Sequence, residues 1–77
     1  MYEKCSDVVI HIDEDLSDDA IHDIEADLSH LDGVYSACVN DRARHLMVVD
    51  YDPSGIPSAE LLQEVRAHGV HAELIGL

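Results

Sequence analysis

Six histidines in a chain of 77 residues are the first candidates for chemistry, because imidazole ligates borderline metals and titrates near neutrality. Two of them, His11 and His71, sit in apolar, alternating segments, Val8-Val9-Ile10-His11-Ile12 and Val70-His71-Ala72-Glu73-Leu74. If these are strands that pair antiparallel, the end of one meets the start of the other and both rings project onto one sheet face. Cross-strand neighbours stand about 5 Å apart, chelating distance for two imidazoles. Asp13 and Glu73 share that face and offer oxygen ligands, so Zn(II), Ni(II) or Cu(II) fits the donor set. The competing description is favoured, however: two half-exposed strand histidines that cover apolar neighbours, since a histidine pair without fixed spacing specifies little.

The other candidates carry less. His22 and His30 lie on the polar side of one helical segment, roughly 12 Å apart by helical rise, too far to share an ion. His68 falls near a helix C-terminus, where the dipole and the terminal carbonyls account for it. His45 begins a strand beside Arg44 and suggests no role. The acidic run Asp13-Glu14-Asp15 invites a calcium reading. An EF-hand register from Asp13 places Asp18 where glycine is required and Ile24 where the bidentate glutamate belongs, so that motif fails. Cys5 and Cys38 are expected to be reduced thiols, and Cys38, with no basic neighbour in sequence, reads as a small hydrophobe. No nucleophile-base pair, phosphate-binding glycine loop or carboxylate dyad is evident, so an enzyme is not expected.

The elements that position these residues follow from periodicity. Val8, Ile10 and Ile12 alternate with Val9, His11 and Asp13, a strand with one buried face. Ser17 is placed to cap a helix over 18–31, with Asp18 and Asp19 complementing its dipole and Ile21, Ile24, Leu28 and Leu31 forming one stripe. Gly33 supplies the positive φ that ends it. Strands are expected over 34–39 and 45–51, joined through Asn40-Asp41-Arg42-Ala43-Arg44, and a turn at Asp52-Pro53-Ser54-Gly55. Ser58 is expected to cap a second helix with Leu61, Leu62 and Val65 inside, stopping at Gly69. A last strand runs over 70–75. Strand-helix-strand-strand-helix-strand is the split β-α-β arrangement: an α+β fold with a four-stranded antiparallel sheet, order 4-1-3-2, and both helices on one face. Residues 1–6 are expected to be an extension and 7–77 the domain, with Ile10, Ile12, Ile24, Leu28, Val39, Val49, Leu61 and Val65 in its core.

In the order and spacing of Ile24, Leu28, Gly33-Val34, Ala37, Val39, Val49, Tyr51-Asp52-Pro53, Leu61, Val65, Gly69 and Ala72, the chain resembles heavy-metal-associated (HMA) domains. These are the ferredoxin-like modules of copper chaperones and metal-pumping ATPases. The resemblance implies the same fold. The family's functional motif is Met-x-Cys-x-x-Cys, and on this alignment Asp15 stands at the methionine, Ser17 at the first cysteine and Ala20 at the second. Cu(I) needs polarizable thiolates, which a hydroxyl and a methyl group do not replace. No thiolate site for copper or zinc is expected in the loop, and no resident cofactor.

Seventeen acidic against four basic residues give a formal charge of −13, which repels phosphate backbones and anionic headgroups. Nucleic acid and membrane surfaces are therefore not expected partners, and a soluble, cytoplasmic protein is. The sheet face without helices should carry Val9, His11, Cys38, Leu46, Val48, His71, Glu73 and Ile75. Contiguous apolar groups on an uncovered face mark association surfaces, the alternative being that the C-terminal tail or the loop after the third strand folds over them. The expected function is a noncatalytic interaction module, beside metal-handling or redox systems, meeting a protein partner or forming a homodimer through that face. Borderline-metal binding through His11 and His71 is the alternative, and regulatory small-ligand binding is a third class that the fold accommodates.

Overall fold

The computed structural model describes residues 6–40 and 42–76. Its elements are β1 (Ser6–Ile12), α1 (Asp18–Ser29), β2 (Val34–Asn40), β3 (Ala43–Tyr51), α2 (Ser58–Arg66) and β4 (Ala72–Gly76). The strands form one sheet in the order β2-β3-β1-β4, every pairing antiparallel. Alternation sets the faces: Val8, Ile10 and Ile12 of β1 are buried with Met47, Val49 and Tyr51 of β3, and the same cluster holds Ile24, Leu28, Leu61 and Val65 of the helices. One cluster on one side of the sheet means that both helices cover that side. This is the expected ferredoxin-like arrangement.

Differences from the periodicity reading have local causes. Helix α1 ends at Ser29 because His30 caps it, its backbone N–H reaching the carbonyls of Ala26 and Asp27 and its Nδ1 lying 2.6 Å from the Ala26 oxygen. Leu31 continues the stripe in the following turn and still packs on the core. Helix α2 is capped by extended Pro57, with no side-chain bond, and Ser58 is its first helical residue instead of its cap. It ends at Arg66, so His68 and Gly69 lie in the turn beyond it. Strand β2 extends to Asn40, whose Oδ1 accepts the Arg42 N–H at 2.8 Å, and β3 resumes at Ala43. Asp41 lies outside the described residues. Val39 is only half-buried, because β2 is the sheet's edge. Strand β4 pairs from Ala72, later than expected, and one extra residue, Ile75, bulges between the pairs Ile10↔Leu74 and Val9↔Gly76.

Gly33 and Gly69 both have positive φ, +98° and +83°. At Gly33 an added Cβ would also sit 2.9 Å from Ile56 Cγ2, whereas at Gly69 it would meet open space. Gly69→Ala is expected to cost about 1 kcal/mol from backbone strain alone, and Gly33→Ala about 2–3 kcal/mol because steric overlap with a buried side chain is added. Chemical denaturation of the two variants measures the difference; equal losses would mean that the packing of Ile56 over Gly33 is unimportant.

Candidate functional site

The loop between β1 and α1, where the family resemblance would place thiolates, is held by hydrogen bonds. Ser17 caps α1 as expected, its Oγ accepting the Ala20 N–H at 3.2 Å. Arg44, at the start of β3, donates to Asp18 Oδ1 at 2.6 Å and to the Leu16 carbonyl at 3.4 Å. Its guanidinium holds the Asp18 carboxyl below the usual carboxylate range, chiefly through that hydrogen bond and then through its charge. His45, without apparent role in the sequence, joins the loop to β3: Nδ1 lies 2.7 Å from the Ile12 carbonyl and Nε2 3.2 Å from Asp15 Oδ1. A carbonyl only accepts, so Nδ1 carries a proton and donates it there. Nothing local announces this contact, which spans 33 residues.

The expected pairing of His11 with His71 does not form. The register sets His11 opposite Glu73, and the His71 carbonyl instead accepts the Asp13 N–H at 2.8 Å. His71 is therefore a diagonal neighbour of His11, a relation with Cβ spacing of about 7–8 Å instead of 5. Each ring is engaged elsewhere. His11 stacks on His45 with ring centroids 5.9 Å apart, and its Nδ1 is 3.2 Å from Asp13 Oδ1. The Glu14 carboxylate accepts both the backbone N–H of His71, at 2.9 Å, and its Nδ1, at 2.7 Å. The His68 backbone N–H donates to the Val65 carbonyl of its own helix at 3.1 Å, while its ring leaves that helix, Nε2 reaching Asp27 Oδ2 of α1 at 2.6 Å. Exposed His22 is 3.4 Å from Glu25. Among the described residues no group of three or more His, Cys, Asp or Glu is placed to hold a metal ion. Cys38 is an exposed free thiol, and Cys5 lies outside the described residues.

The uncovered sheet face is organised in rows that run across the strands. Cys38, Val48 and Val9 are successive cross-strand partners, and the bulge sets Ile75, 53% exposed, beside Val9. On one side of this apolar row lie Ser36, Asp50 and Asp7, also in register. On the other lie Leu46, His11 and Glu73. Val9, Leu46 and Val48 are half-buried. Of the large hydrophobics, Tyr35 at a bulge in β2 is similarly exposed, at 55%.

No protein-family model matches the chain, and no curated protein matches it. Solved structures do. The N-terminal domain of a potential copper-translocating P-type ATPase from Bacillus subtilis, in its Cu(I)-loaded state, aligns at TM-score 0.84 and 25% identity, over 94% of this chain and 89% of that one. A copper binding domain from HMA7, a P-type ATPase, aligns at 0.81 and 20%, over 91% and 93%. The apo copper chaperone of Enterococcus hirae aligns at 0.78 and 20%, over 88% and 98%. The chain thus has the ferredoxin-like fold of heavy-metal-associated domains. Likeness at this level defines architecture; cargo depends on the side chains in the loop.

The contact of His71 with Glu14 has a definite pH signature. The hydrogen bond to Glu14, then that carboxylate's charge, raises His71 above its usual 6.5. The same contact lowers Glu14 from its usual 4.5. A raised histidine stabilises fully below 6.5 and ceases to do so as pH rises through its folded value; a lowered glutamate stabilises above 4.5 and ceases to as pH falls through its own. The contact is therefore strongest between these limits. NMR titration should show His71 titrating above 6.5 and returning toward it in Glu14→Gln; an unchanged midpoint in the variant would contradict the assignment.

Proposed function

We propose that the chain is a noncatalytic domain of heavy-metal-associated architecture that works by protein association through its uncovered sheet face. The observation that carries this reading is the apolar row Cys38-Val48-Val9, continuous across three strands and extended by Ile75. Apolar groups in register on a face that supports no helix contribute little to the core, and contiguous apolar groups on such a face support a contact surface. The copper-binding neighbours suggest a setting near metal handling. In this reading the β1–α1 loop carries no soft metal, since Asp15, Ser17 and Ala20 offer no thiolate and Ser17, Asp18 and Asp15 are engaged with the Ala20 N–H, Arg44 and His45 respectively. Chelation by His11 and His71 is less well supported, because each ring is engaged with a different carboxylate.

A charge at the centre of the row is the direct test. Val48→Asp should reduce capture of a partner from source extract by more than tenfold, the scale of a central contact residue, and leave the helical circular dichroism intact. Gln63→Asp, on the exposed side of α2, should capture as well as the parent. Equal capture by Val48→Asp, or loss in Gln63→Asp alone, would refute the assignment of the face.

A further inference from the structure

The rows beside the apolar one say what kind of surface it meets, granted that the face is an association surface. Asp7 and Asp50 are direct cross-strand partners. Asp50 accepts the Ser36 hydroxyl at 3.0 Å, and no cation among the described residues forms an ion pair with either carboxyl. Like charges directly opposite are unfavourable in a sheet. The Asp7 carboxyl is raised, first by its side-chain hydrogen bond with Asp50, then by desolvation, and last by the Asp50 charge. Across the apolar row, Glu73 stands opposite His11 and Asp13 lies against the same ring. The face is thus apolar along its middle, with the Asp7–Asp50 pair on one flank and, on the other, the Glu73 and Asp13 carboxylates beside His11 and Leu46.

We infer that the occupant of this face is a basic protein surface, an extended segment whose outward residues read basic–apolar–basic, and not a second copy of this chain. Spacing supports the pattern. Asp7, Val9 and His11 project from alternate positions of β1, about 6.6 Å apart at strand rise. A partner strand lying along β1 repeats that spacing, so lysine or arginine at its first and third outward positions reaches Asp7 and Asp50 at one end and Glu73 and Asp13 at the other. An apolar side chain between them then covers Val9 and Val48. A second copy brings a further formal charge of −13 and the same acidic flanks, so aligned copies repel.

The probe is a cyclic two-stranded hairpin whose outward residues read Lys–Val–Lys, compared with a Gln–Val–Gln hairpin of the same backbone, in an NMR titration of the full chain. The lysine hairpin should shift the methyl groups of Val9, Leu46 and Val48. It should bind at least about tenfold more weakly to Asp7→Asn/Asp50→Asn, in which the amide oxygen at position 50 can still accept the Ser36 hydroxyl, and weaken as salt rises from about 0.05 to about 0.5 M. Equal, salt-independent binding of the glutamine hairpin at those methyls would overturn the basic partner and leave the association surface standing. Self-association of the parent through the row at millimolar concentration would overturn it in favour of a second copy. Shifts confined to the helices with both hairpins, together with partner capture unaffected by Val48→Asp, would overturn the association surface itself.

Discussion

Two short helices are enough to cover one face of a four-stranded sheet, and among the described residues no helix covers the other. The covered face determines stability: Ile10, Met47, Val49, Leu28, Leu61 and Val65 are fully buried there, each contributing about 1.5–3 kcal/mol through loss of apolar surface from water. With that requirement met on one side, residues on the opposite side are free of it. A stability-neutral strand face in a charged chain would ordinarily alternate toward polar groups. Here three successive strands instead place Cys38, Val48 and Val9 side by side.

Charge shapes the rest. With four Lys and Arg against seventeen acids, histidines take on contacts that basic side chains usually make. His45 and His71 tie the β1–α1 loop to β3 and to the residue before β4, and His68 ties the end of α2 to α1. Arg44 completes the loop's anchoring through Asp18. The segment that the family architecture offers to a metal is here built from carboxylates, a serine cap and donors reached across the fold. Asp7 and Asp50, with which no basic or histidine side chain among the described residues forms an ion pair, border the apolar row, which joins the two distinctive properties of the surface.

Periodicity made the architecture legible, because burial on one face imposes its own repeat: alternation in β1 and β3 and a stripe in α1 gave strand order, faces and most of the core. Element ends were less legible. Ser58 carries the chemistry of a cap, yet Pro57 occupies that position because its extended backbone is already fixed. The row Val9, Val48, Cys38 followed from parity alone. The histidines did not, since a two-residue difference in register turns a facing pair into a diagonal one while leaving both rings on one face, and neither the register of β1 on β4 nor the bulge at Ile75 is announced by a residue type. His45 was illegible for a simpler reason: its partners, Ile12 and Asp15, are brought to it only by the folded sheet.

The central proposal is that the β1–α1 loop of this fold holds no thiolate metal site and that the chain works through the open face. Cu(I) retention against a competing chelator tests it most directly, measured for the parent and for Cys5→Ser/Cys38→Ser, which removes both thiols of the chain. We expect the double variant to hold no copper and the parent at most a weakly bound, substoichiometric amount through isolated thiols. One equivalent of Cu(I) held by the variant against the chelator would show that the loop binds soft metal without cysteine, and would contradict the claim.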